Sequence, residues 1–299
     1  MKRFVIRIFL LVVIIGGMDF IYGNVMAKID DKVNLKGGCK YIFDKVDSEL
    51  LVFGSSRAYR HYDTRVLSDS LQLSAYNCGQ SAQSFIHNYV LLEELLKRYQ
   101  PKMIIYDLNP KVDFMGANHS VYISSLRPYI NRESVKEVVF SVDPLEKYKN
   151  TFSLYRYNSI CNSLILEYLG VIEHKSINGF VPTYREMKKQ IKEDDVTMQV
   201  DSLSLYYANK FIKRVKQDPN VKLIFVISPR WYGMDTSHVE LAKELANNHH
   251  ICLYDFSNNS SYVHNDSYFY DGTHMNAKGA ELFTKELVTL FKRDSVISY

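Results

Sequence analysis

The stretch Leu50-Leu51-Val52-Phe53-Gly54-Ser55-Ser56-Arg57 decides how this chain is read. Four apolar residues in a row suit a strand buried on both faces. The glycine that follows permits a tight turn, and a serine at such a strand-to-helix turn faces the carboxyl edge of a parallel sheet. Ser55 and Ser56 are both candidate nucleophiles. Gly-Ser-Ser is also ordinary turn chemistry, so the segment by itself says little about function.

Outward from this segment, apolar runs alternate with amphipathic stretches. Strands are expected at 49–53, 73–77, 103–108, 222–227 and 251–254. Residues 84–98 carry Ile86, Tyr89, Val90, Leu92, Leu95 and Leu96 at helical spacing. Residues 237–247 open with Ser237-His238-Val239-Glu240, the pattern of a capping box. A last helix over about 276–291 places Leu282, Phe283, Leu287 and Leu290 on one face. This alternation predicts an α/β fold, a three-layer α/β/α sandwich around a parallel sheet of about five strands. The stretch from about 113 to 217 breaks it. That stretch is polar and rich in Tyr and Lys, with helical pieces at 132–140 and 184–191, and it reads as a helical insertion able to cap the site.

The N-terminus is of another kind. Lys2, Arg3 and Arg7 precede an apolar run over 8–18, the pattern of a signal peptide or signal anchor over residues 1–27. The run is short for a span unless Phe20, Ile21 and Tyr22 extend it past Asp19. Val25-Met26-Ala27 is a possible cleavage site. Basic residues ahead of the run keep that end in the cytoplasm, so the body (28–299) is expected outside it, periplasmic or at the cell surface. In such a compartment Cys39, Cys78, Cys161 and Cys252 allow three full pairings, and free buried thiols are equally open. Gly37-Gly38-Cys39 lies too far from the run, behind Lys36, to be a lipid-attachment site.

A net charge of +4 is mild, and no Lys/Arg run is long enough to suggest a nucleic-acid footprint, so no nucleic-acid partner is expected. Nucleotide-binding glycine loops are absent from the sequence, and no cofactor is expected. The 23 tyrosines suit either a core or a sugar-handling surface.

Chemistry enters with Asp271-Gly272-Thr273-His274, just before the last helix. A carboxylate three residues ahead of an imidazole can hold it in the tautomer that a general base needs. The bland alternative is that both residues merely cap the helix. A metal site with His264 and Asp266 is a minor one, because such sites need three or four convergent ligands. Two loops after expected strands offer oxyanion donors: Tyr76-Asn77-Cys78-Gly79-Gln80-Ser81, through the Gly79 N–H, and Asp107-Leu108-Asn109-Pro110, through the Asn109 amide.

Ser, Gly, Asn and His in this order resemble the four blocks of the SGNH/GDSL hydrolase superfamily. The resemblance implies a flavodoxin-like SGNH fold, with Ser56 as nucleophile, His274 as base and Asp271 as its partner. It also implies an oxyanion hole of the Ser56 backbone, Gly79 and Asn109. Ser55 stands where the family has Asp and Arg57 where it has Leu, while Asp107-Leu108-Asn109-Pro110 replaces Gly-x-Asn-Asp. Gly-Ser-Ser behind an N-terminal anchor is similar to the membrane-tethered branch that modifies envelope polymers, such as proteins of alginate O-acetylation and lipoteichoic-acid D-alanylation. The expected activity is that of a serine esterase or O-acyltransferase on acylated envelope carbohydrate or a small ester. The alternative is a non-catalytic envelope protein of the same fold that binds glycan or a membrane partner. Arg57 and Arg230, with Arg60, are candidates to bind an anionic glycan or are simply solvated loop charges.

Overall fold

The computed structural model describes residues 1–33, 37–115, 119–173, 175–187 and 199–296. The described residues contain a five-stranded parallel sheet formed by β1 (Leu50–Gly54), β2 (Ala75–Asn77), β3 (Met103–Asp107), β4 (Lys222–Ile227) and β5 (Cys252–Asp255). All five expected strands are present. Their order is β2-β1-β3-β4-β5, with Gly54 beside Asp107 and Asp107 beside Val226 in register. The chain leaves β1 toward one edge and returns through β3 toward the other. The carboxyl ends of β1 and β3 therefore flank the switch point where open α/β sheets bind ligands.

The unbroken apolar strands divide by alternation. Leu51, Phe53, Ile104, Tyr106, Phe225 and Ile227 face one core layer, and Leu50, Val52, Met103, Ile105, Ile224 and Val226 face the other. The first layer is closed by α2 (Cys39–Lys45), α5 (Phe85–Leu96), α8 (Glu133–Val142), α12 (Ser202–Val215) and α13 (Thr236–Asn248). The second is closed by α3 (Ser56–His61), α4 (Thr64–Leu71) and α14 (Ala277–Arg293).

Side-chain caps set several helix starts, satisfying N–H groups that have no partner within the helix. Ser84 accepts from Ile86 N–H, Asp201 from Ser204 N–H and Asn276 from Gly279 N–H. The cap of α13 is Asp235, which accepts from Ser237 N–H, so the helix starts ahead of the Ser237 capping box. On α14, Phe283, Leu287 and Phe291 point inward while Leu282 is exposed, because the buried stripe is offset by one residue.

The stretch 113–217 is not one cap. Val135, Val138 and Val139 of α8 and Ala208, Phe211 and Ile212 of α12 belong to the main core, and α12 is the crossover that returns the chain to β4. Short helices α6 (Pro110–Phe114), α7 (His119–Ser124), α9 (Glu146–Lys149), α10 (Ser153–Tyr157) and α11 (Cys161–Tyr168) lie between them. Of the expected helix at 184–191, residues 184–187 run as irregular chain and the rest lies outside the described residues. A strip at 177–183 crosses the carboxyl edge of the sheet. Asn77 N–H donates to Asn178 C=O, Val181 N–H to Tyr59 C=O, and Ala277 N–H to Thr183 C=O.

α1 (Lys2–Val33) is a single helix through the Val25-Met26-Ala27 segment. By length and composition it is able to cross a membrane, with mean hydropathy 2.5 over its most apolar 18 residues and none of that window buried. Its second half packs on α10 and α11 through Met26, Tyr157 and Leu164. The four cysteines are unpaired. Cys39 and Cys78 are buried, and Cys252 is exposed on edge strand β5.

Candidate active site

Gly54 ends β1 at φ +137°, and a Cβ there would stand 2.8 Å from the Asp107 carbonyl oxygen. Only glycine lets β1 turn this close to β3. The turn places Ser55 at the N-cap of α3 and Ser56 as the first helical residue. Ser55 is fully buried and its Oγ accepts from Asn109 Nδ2 at 3.4 Å. Ser56 is partly exposed, and its Oγ lies 2.7 Å from His274 Nε2. The two serines that the sequence left equal are thus in different surroundings.

On the other ring nitrogen, His274 Nδ1 lies 3.0 and 3.1 Å from the two Asp271 oxygens. A proton on Nδ1 satisfies the carboxylate and leaves Nε2 to accept from the Ser56 hydroxyl. Burial works against ionisation of Asp271, yet the His274 ring and the N–H groups of Thr273 and His274 outweigh it and hold the carboxyl below its ordinary range. Tyr270 stacks on the His274 ring at 5.5 Å, nearly parallel.

A second, buried layer fixes this arrangement. Met275 N–H donates to His61 Nε2 at 3.0 Å, so His61 carries its proton on Nδ1 and donates to Ser228 Oγ at 2.9 Å. Burial, then the charge of Arg57, hold His61 well below its ordinary pKa, so it stays neutral. Asp107 accepts from Tyr62 Oη at 2.8 Å and from Ser228 N–H at 3.0 Å, and it pairs with Arg57 Nε at 3.3 Å.

Arg57 is therefore corrected as a substrate-binding residue: it is 0% exposed and donates inward to the Leu108 and Ser228 carbonyls. On a short helix the residue after Ser56 turns toward the sheet, and Asp107 at the end of the neighbouring strand supplies the counter-charge. Arg230 is also buried, at 6% exposed. Arg60 is the arginine that reaches the rim. Its guanidinium lies over Tyr59 and Tyr270 and donates to Thr183 Oγ1.

Gly79 packs on α3, where an added Cβ would stand 2.6 Å from Ala58 Cβ. Its N–H donates to Asn77 Oδ1 at 3.0 Å. Asn109 follows β3, and its backbone N–H donates to Asp113 Oδ2 at 2.7 Å. Burial pushes the Asp113 carboxyl up to about 8, against hydrogen bonds from Asn109 and Tyr106 that favour the ionised form. A cleft of about 750 Å³ opens beside Gly79, lined by Tyr59, Arg60, Gln80, Ser125 and Lys175 among others.

No His, Cys, Asp or Glu group that could hold a metal occurs among the described residues. Asp266 accepts from Trp231 Nε1 at 2.7 Å, and the His264 ring packs on Trp231. Sequence reading missed His61, Tyr62, Tyr270 and the 177–183 strip. Arg57 and His61 stand one turn apart on α3, and that shared inward face was the available signal.

No protein-family model matches the sequence, and no curated protein matches it. Solved structures are similar at low identity. A protein assigned to the G-D-S-L lipolytic family from Desulfitobacterium hafniense is 10% identical, with 82% of this chain and 99% of that one covered and a TM-score of 0.44. A protein assigned as an acylhydrolase from Bacteroides fragilis is 12% identical (83% and 89% covered, TM-score 0.38). An acetyl xylan esterase is 10% identical (81% and 98% covered, TM-score 0.38).

Proposed function

We propose that the chain is an SGNH-type serine esterase or O-acyltransferase, tethered by α1 with its body outside the cytoplasm. Its proposed substrates are acylated envelope carbohydrates. The observation that carries this reading is the relay from Ser56 Oγ through His274 to Asp271, on loops at the carboxyl edge of the sheet. His274 takes the Ser56 proton, Ser56 attacks the ester carbonyl, and Asp271 stabilises the imidazolium that forms. The oxyanion is held by the backbone of Ser56 with Gly79 N–H and Asn109 Nδ2. At rest Gly79 N–H donates to Asn77 Oδ1 and Asn109 Nδ2 to Ser55 Oγ. His274 then protonates the leaving oxygen, and water or an acceptor hydroxyl releases the acyl group. Tyr59, Arg60 and Gln80 supply the aromatic and polar surface that a sugar needs.

A fluorophosphonate serine probe tests the reading, on wild type, Ser55→Ala, Ser56→Ala and His274→Ala, with the adduct located by mass spectrometry. Labelling at Ser56 that requires His274 is expected. A well-folded wild type that does not label refutes the catalytic reading and favours a binding protein of the same fold.

A further inference from the structure

We propose that the face formed by α9, α10 and α11 lies in the headgroup and upper acyl region of the bilayer that α1 spans. The body is then docked on the membrane by its own apolar surface, not only tethered. This inference rests on the anchor reading of α1.

The argument is one of depth. At 1.5 Å per residue, roughly 20 helical residues cross the hydrocarbon layer. Counted from Phe4, with Arg7 in the first turn where its long side chain snorkels back to the headgroups beside Lys2 and Arg3, the span reaches Gly23. Asp19 lies inside it, one turn short of the end. Its carboxylate is satisfied by the body: both oxygens accept backbone N–H groups, Ser153 at one and Leu154 at the other, each at 2.8 Å. Gly23 allows the approach, since a Cβ there would overlap Ser153. The first turn of α10 is thereby held at the depth of Asp19, within the span and not above it.

Backbone carried to that depth needs apolar surroundings, and the surface has them. Phe152 is 56% exposed and Leu154 64%, and Leu145, Tyr148 and Leu169 are equally open. An apolar groove of about 710 Å³ runs between Ile15, Met18 and Tyr22 of α1 and Phe152, Leu154 and Tyr155 of the body. It joins Phe152 and Leu154 on this face to the lipid-facing side of the anchor. Contiguous exposed apolar surface of this kind marks an interaction site, and aromatic side chains at the edge of a span suit the headgroup boundary. Continuity with α1 selects lipid as the occupant.

Trp231 is the chain's single tryptophan and is buried in the body, which gives a clean test. Val12→Trp, Phe152→Trp and Leu169→Trp are each placed in the full chain, in nanodiscs of phosphatidylcholine with or without brominated acyl chains. Brominated lipid should remove most of the emission added by all three and leave that of Trp231 unchanged. Quenching at 12 without quenching at 152 or 169 overturns the docking proposal, including the case in which a second copy or another membrane protein covers the face. No quenching at 12 overturns the anchor reading, and the proposal with it.

Discussion

Replacing Arg57 with methionine separates a buried structural arginine from one that binds substrate. In the folded chain its guanidinium sits 3.3 Å from Asp107 and donates to the Leu108 and Ser228 carbonyls, with both charged side chains fully buried. Methionine keeps much of the volume and removes the charge. Asp107 retains Tyr62 Oη and Ser228 N–H but loses its only close cation among the described residues. Breaking one side of a buried pair costs about 3–5 kcal/mol, most of it from the charge left behind. At a urea slope of about 3 kcal/mol per M, the upper end that suits a chain of this size, that lowers the midpoint by about 1–2 M. The assay is urea unfolding of the full chain in detergent, followed by Trp231 fluorescence. Adding Asp107→Asn should recover part of the loss, since it removes the bare charge. The preference for anionic over neutral ester substrates should not change. An unchanged midpoint with a raised KM confined to anionic esters would refute the reasoning.

Asp271→Asn should lower kcat about 10³–10⁴-fold with little change in KM or thermal stability, because an amide favours the wrong His274 tautomer. Near-normal kcat would remove Asp271 from the relay. Gly179 sits at φ +84°, where a Cβ would overlap the Asn77 carbonyl oxygen. Gly179→Ala should therefore cost at least about 1–2 kcal/mol from backbone strain alone and weaken substrate binding, as read by melting temperature and KM. Burial lowers His87 to about 4 in the folded chain, while the unfolded chain binds that proton near 6.5. Folding stability should thus fall as pH drops from about 6.5 toward 4, by ~1.4 kcal/mol per unit from this group, or about 3 kcal/mol in all. His61 acts in the same direction and Asp113, raised by burial, in the opposite one. His87→Phe should reduce the pH slope of stability over that window by one proton, and an unchanged slope would exclude His87 as its source.

The strands were legible because a sheet covered on both faces requires near-continuous apolar runs, and Leu50–Gly54 and Met103–Asp107 have little else. The loops that follow them were legible for the same reason, since a parallel strand of known direction tells which end its loop occupies. The pair Ser55 and Ser56, with Asn109, Asp271 and His274, could therefore be named as candidates from local motifs. Residue 57 could not be read this way. An arginine after a turn serine is compatible with solvent, with substrate or with a buried partner, and only the register of β1 against β3 puts Asp107 beside it.

The same limit governs the rest. Sequence alone determined the layered α/β fold, the apolar N-terminal helix and the candidate residues, because hydrophobic period and turn chemistry act over a few neighbouring positions. Tertiary structure decided which of Ser55 and Ser56 meets His274, 218 positions away. It made His61 a hidden support for the loop after His274, and it joined α12 to the sheet and Asp19 to the first turn of α10. These outcomes depend on burial and on charge partners brought together by packing, and residue identity carries neither.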